Sequence, residues 1–260
     1  MPPRECSIVN ETLADDASPA GRPWRFWLAV ILVPIALGIL LSLGTWQVQR
    51  LHWKEDLLAS IEARRTAAPV SVEAIEQELG AGAEIDYRAA TASGRFLYDK
   101  ERHFLATHRG QSGFYVYTPL VMTDGRYLLV NRGFVPYDRK EPSTRPEGLV
   151  EGEQKISGLA RARLDEKPSA LVPDNDEAAN IFYWKDLDRM AASVDLPQDK
   201  VLPFFLDADD QPVSGGLPIG GVTVIDLPNN HLQYVITWYG LAFALVSVVL
   251  YALVKRRFRS

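Results

Sequence analysis

Cysteine is almost missing from this chain: one residue in 260, Cys6, and none between positions 46 and 230. Disulfides and thiolate-based metal transfer are thereby excluded from the long middle of the sequence. Methionine occurs only at 1, 122 and 190, which argues against a soft copper(I) site. Histidine is scarce too, at 52, 103, 108 and 231. His103 and His108 are five apart, so on a continuous strand they point to opposite faces and make a poor ligand pair. Positive charge is outnumbered: residues 46–230 hold 21 Lys+Arg against 29 Asp+Glu, a net charge of minus eight. So acidic a segment is a poor partner for nucleic acid.

Charge of either sign is absent from two stretches. Phe26 to Leu43 runs eighteen residues without a charge, and Tyr234 to Val254 runs twenty-one. As a helix the second spans about 31 Å, the hydrocarbon thickness of a bilayer. Arg22 and Arg25 before the first run give it the look of a signal peptide. Its apolar core is too long for that, however, and it ends in a polar helical pattern instead of a small-residue cleavage site. Both runs read as transmembrane helices. Lys255 to Arg259 place four cations in five residues after the second run, which sets the C-terminus in the cytoplasm and, after two crossings, the N-terminus as well. Trp24 and Trp27 at one end, and Trp46 and Trp238 near the other, suit the two interfacial belts. The acid-bearing tail is a poor organelle transit peptide, so a bacterial inner membrane with the large domain in the periplasm is expected.

The expected organisation is a disordered cytoplasmic tail over 1–23, a first span over 24–45, an extracytoplasmic domain over 46–230, a second span over 231–254 and a basic tail over 255–260. Helical periodicity carries past the first span through Trp46, Trp53, Leu57 and Ile61, until "AAP" breaks it. Ser71 is placed to cap a short helix. From Tyr87 the pattern turns to strand: "YRAATASGRFLY", "RHFLATH", "GFYVYTPLVM", "RYLLVNRGFV", "QKISGLARA", "VLPFFLDA" and "GVTVIDL". Asp124-Gly125 signals a two-residue hairpin, and "NIFYWKDLDRMAASV" a helix from about Lys185. The fold class expected is a two-helix transmembrane hairpin enclosing an α+β domain dominated by antiparallel sheet.

No G-x-S-x-G elbow or convincing nucleophile–base spacing is present, and the carboxylates are scattered, so no catalytic residue is assigned. The glycines of "SGGLPIGG" lack the residues and strand–helix context of a phosphate loop and read as a turn. His231 stands where an apolar helix begins, sharing a face with Tyr234, Val235, Trp238 and Ala242. A neutral imidazole there is either an interfacial anchor or an axial ligand for haem iron. Arg50 lies on the stripe of Trp46 and Trp53; it suits a propionate or lipid phosphate, or packing on the tryptophans. Gly38-x-x-x-Ser42 and Gly240-x-x-x-Ala244 are small-residue pairs through which the two spans can touch.

Taken in order, "LGTWQVQRLHWK", "GRF" at Gly94, "GFYVYTPL" at Gly113, "VNRGFVP" at Val130, "PIGG" at Pro218 and "NNHLQYVITWYG" at Asn229 resemble the surfeit-locus family of cytochrome c oxidase assembly factors over most of residues 43 to 240. The resemblance implies a non-enzymatic membrane chaperone that binds haem a or assists its insertion into the oxidase's catalytic subunit, with haem a synthase as a further expected partner. It makes His231 the counterpart of the family's suspected haem ligand; on that basis Trp238 and Trp46 are expected to pack beside the macrocycle and Arg50 to neutralise a propionate. The alternative is a cofactor-free scaffold that stabilises an oxidase subunit, docking through "VNRGFVP" and the acidic face. Whether Arg132 supports the hairpin or meets a partner is open.

Overall fold

The computed structural model describes residues 24–223 and 228–258. The expected disordered tail, Cys6, Arg259 and most of the proposed strand "GVTVIDL" lie outside them; residues 221–223 of that stretch form no strand. The described residues divide into two compact units, a helical one of residues 24–54 with 229–258 and a β-rich one of residues 55–223 with 228.

Two helices make up the described part of the first unit. α1, Trp24–Thr66, continues unbroken past its apolar run, and α4, His231–Arg257, begins at the histidine. They lie antiparallel. Phe26 neighbours Arg256, Val33 and Pro34 share an apolar groove with Val248 and Val249, and the ring of Tyr239 abuts Gly44. The expected small-residue contact is displaced: a Cβ added at Gly38 or Gly240 would meet nothing within 4 Å, whereas one at Gly44 would sit 3.0 Å from the Tyr239 ring. An aromatic ring laid against one glycine, not two facing glycines, brings the backbones together here. Both helices are long and apolar enough to cross a membrane.

The second unit is a barrel. Ser71 caps α2, Val72–Gly80, accepting a hydrogen bond from the Ala74 amide. Strand β1, Val70–Ser71, adds in parallel to β2, Ala89–Phe96. Then come β3, Arg102–His108, β4, Gln111–Met122, β5, Tyr127–Pro136, β6, Gln154–Ala162, and β7, Val201–Ala208. β2 pairs with β6, β6 with β7, β7 in parallel with β5, and β5 with β4. β4 returns to β2 at Phe96↔Leu120 and Gly94↔Met122, and the ring closes. The expected antiparallel sheet is therefore a five-stranded closed barrel with one parallel joint, which leaves the ring without a free edge. β4 serves two strands along one side, β3 with its first half and β2 with its last residues. The chain comes close enough at that seam for a Cβ on Gly94 to collide with the Val121 carbonyl.

Inside the ring, Ala90, Ala92, Leu120, Leu128, Val130, Ala160, Phe204 and Leu206 pack with Val72 and Ile75 of α2. Outside it, Tyr117, Leu129 and Phe205 are covered by Phe182 and by Leu187 and Met190 of α3, Leu187–Ala192. α3 starts two residues later than expected, because Asp186 accepts a hydrogen bond from the Arg189 amide and so acts as the cap. β5 is thus buried on both faces, like a strand sandwiched between layers. Between the hydrogen-bonded residues Met122 and Arg126 the β4–β5 turn has three residues, Thr123 to Gly125, instead of two. The Gly125 amide donates to the Met122 carbonyl, that of Met122 donates to Arg126, and Gly125 takes the left-handed conformation that completes a bulged turn.

Candidate functional site

His231 occupies the first position of α4, half-buried, and its ring is held by α1. Nδ1 lies 2.7 Å from Oε1 of Gln47, a side chain only 9 % exposed. An amide oxygen can only accept, so with Oε1 facing the ring Nδ1 is the donor in this contact. Farther along the same helix contact, Thr45 Oγ1 is 3.1 Å from the Tyr239 hydroxyl, and Gly44 lies under the Tyr239 ring. On α4 the stripe turned inward runs through His231, Val235, Trp238, Ala242 and Leu245. Tyr234, expected on that face, is 51 % exposed. Trp238 is half-buried, and its indole Nε1 is buried without an acceptor among the described residues.

The structure does not bring Trp46 and Arg50 to that stripe. At about 100° per residue they share a flank of α1 with Trp53, turned away from Gly44 and Leu51, although Arg50, three residues on, stays next to Gln47. Trp46 is 53 % exposed, and the Arg50 guanidinium lies 3.7 Å from the centre of the Trp53 ring. That cation–π contact is one of the roles the sequence left open for Arg50.

Two polar clusters sit in the barrel. Buried Glu101 receives Arg145 and Arg132 on its carboxylate, Arg132 at 3.2 Å, and Thr118 Oγ1 at 3.4 Å. Arg132 also donates to the Gly148 carbonyl at 2.6 Å. At 7 % exposure Arg132 is tied into this internal group, with an edge on the cleft that Phe96, Gly148 and Ser214 also line. His103 stands beside this group, accepting from Asn180 Nδ2 at 2.9 Å. Burial first, then the charges of Lys140 and Arg145, push its pKa down to about 3, so it is neutral. The second cluster centres on Asp207, whose carboxylate takes Asn131 Nδ2 at 3.0 Å and Thr223 Oγ1 at 2.8 Å. Asn131 in turn accepts from the Gly133 amide. Next to it Phe134 and Ile219 exchange backbone hydrogen bonds at 2.8 Å, which docks "PIGG" onto "NRGFVP". A Cβ on Gly133, φ 123°, would collide with the Ile219 carbonyl.

A profile of the SURF1 family matches residues 34–243. Surfeit locus protein 1 of Rattus norvegicus is 38 % identical over 259 residues, 94 % of this chain and 79 % of the relative. That of Homo sapiens is 38 % identical over 235 residues, 84 % and 74 %. The SURF1-like protein of Monosiga brevicollis is 32 % identical over 259 residues, 95 % and 94 %. The chain belongs to the SURF1 family. The SURF1 match opens inside α1 at Pro34 and closes inside α4 at Phe243, so it takes in the barrel, Gln47, Trp238 and His231. Lys255, Arg256 and Arg257 fall beyond it. Within this SURF1 chain, sequence reasoning missed Gln47. The only signal was an uncharged amide one residue past Trp46, on the small-residue side of the helix.

Proposed function

We propose that this SURF1-family chain is a two-pass membrane protein that assists assembly of haem–copper cytochrome c oxidase, holding haem a in passing for its catalytic subunit. The observation that carries this reading is the His231 imidazole, fixed through Nδ1 by Gln47 at the start of an apolar helix. Membrane placement is supported by the bare flanks of both helices, where Ile31, Leu32, Ile35, Ile39, Ile236, Phe243 and Val248 are all exposed. Water would not tolerate so large an apolar surface; hydrocarbon would. The basic last turn of α4 then lies in the cytoplasm, and the barrel in the periplasm of a bacterial inner membrane.

The residues present fit the group. Among the described residues no three His, Cys, Asp or Glu gather as a metal site, so an iron held by His231 must bring most of its ligands with it, as a porphyrin does. When bound, haem a supplies the iron and the macrocycle that the oxidase uses. The chain supplies one nitrogen, Nε2 of His231, and an apolar flank that includes Trp238. Trp46 and Arg50 take part only by turning from their present outward packing. Carriage, not catalysis, is the role assigned. Of the docking surface expected for the rival scaffold, Val130 to Val135 are buried, which leaves it the acidic face.

His231→Ala, expressed alongside haem a synthesis, is expected to lose the Soret absorption that the parent chain carries through purification. An unchanged haem content would remove His231 from the site.

A further inference from the structure

Gln47 carries no charge, yet it is buried in α1 opposite the ring of His231. Burying a primary amide is costly unless its hydrogen bonds are made. Here its carbonyl oxygen is spent on a single partner, Nδ1 of His231, at 2.7 Å. Two neighbours fix the register of that pairing: Gly44 beneath the Tyr239 ring, and Thr45 on the Tyr239 hydroxyl at 3.1 Å. His231 is also anchored from its own side, its backbone amide reaching Asn229 Oδ1 at 3.4 Å.

From this arrangement we infer that Gln47 is a positioning residue for the ligand nitrogen: it selects the Nδ1–H tautomer of His231 and so leaves Nε2 as the electron-pair donor. The inference rests on the haem-carrying role proposed above and deepens it. The choice of an amide is informative. A carboxylate in the same place would draw the Nδ1 proton toward itself and make Nε2 a stronger donor, whereas an amide orients the ring with less effect on its basicity. An orienting but weakly polarising partner suits a ligand that must let its cargo go. Outer partners of metal-bound histidines are typically worth about 10–100-fold in affinity.

The test uses the full chain in detergent and two readouts. First, the protein without haem is labelled with nitrogen-15 in histidine, and the ring correlations of His231 are compared in the parent, Gln47→Leu and Gln47→Glu. The parent and Gln47→Glu are expected to show the proton on Nδ1, and Gln47→Leu to move to the Nε2–H form that free imidazole favours. Second, haem a is titrated into each. Gln47→Leu is expected to bind at least about tenfold more weakly; Gln47→Glu is expected to bind more tightly and to release haem more slowly. A Gln47→Leu protein that keeps both the parent tautomer and the parent affinity overturns the inference. Should that variant fail to fold, a Gln47→Glu protein with unchanged affinity and release does the same. If instead haem binding proves indifferent to His231→Ala, the carrier reading falls, and the tautomer result, measured without haem, still stands on its own.

Discussion

Glu101 holds two guanidinium groups in a site from which water is shut out. The attraction between such charges offsets their desolvation only while the set is complete, and removing one member leaves the others buried and uncompensated. Glu101→Gln is expected to destabilise the barrel by about 3–5 kcal/mol, read as a lower midpoint in urea unfolding. His103 makes a different statement. Its folded pKa, about 3, lies below the value of about 6.5 for an unfolded histidine. The unfolded chain therefore binds a proton first as pH falls, and stability drains away between pH 6.5 and 3, by about 1.4 kcal/mol for each unit. Between about pH 7 and pH 5 the loss from this residue is expected to approach roughly 2 kcal/mol. In His103→Gln, urea midpoints measured across that window should lose this contribution to the slope.

Among the elements, the helix pair offers a contrast between two glycines. Gly44 has the Tyr239 ring 3.0 Å from where a Cβ would stand, while Gly240 has open space. Gly44→Val is expected to part the helices and Gly240→Val to leave them together, as read by disulfide trapping of cysteines introduced at Val33 and Val249. Here the sequence misled for a physical reason. A small-residue spacing marks where helices can approach, but which glycine is used depends on the ring that arrives from the other chain segment. The strands were more legible. β3, β6 and β7 begin and end at the residues their β-branched and aromatic runs indicated, and Ser71 caps α2 as its position foretold. Closure of the ring was not legible, because pairing β2 with the last residues of β4 is a long-range choice that no local pattern encodes. Arg132 and Gln47 were hidden for the same reason: each is defined by a partner far away in sequence, Glu101 in one case and His231 in the other.

At the scale of the whole molecule, two bare apolar helices precede and follow, along the chain, a barrel rich in acids. A cysteine placed at Leu171, a residue of the β-rich unit that is 93 % exposed, is expected to react with a membrane-impermeant maleimide in intact spheroplasts, and one placed beside Lys255 only after lysis. The reverse order would invert the topology and place His231 at the opposite membrane face, and labelling of both would mean that α4 does not cross. Of the functional assignment, the helices and the imidazole were readable from hydropathy and from the scarcity of histidine. The haem reading came from resemblance, and what the structure adds is the Gln47 contact on the ring.

β5 has eight consecutive buried residues, Leu128 to Val135. In β3 Leu105 and Thr107 are exposed while His103 is buried, so substitution is tolerated best at those two outward positions. From Leu128 to Val135 no position of β5 offers that freedom, so a polar or oversized replacement anywhere along it breaches the wall between the two layers.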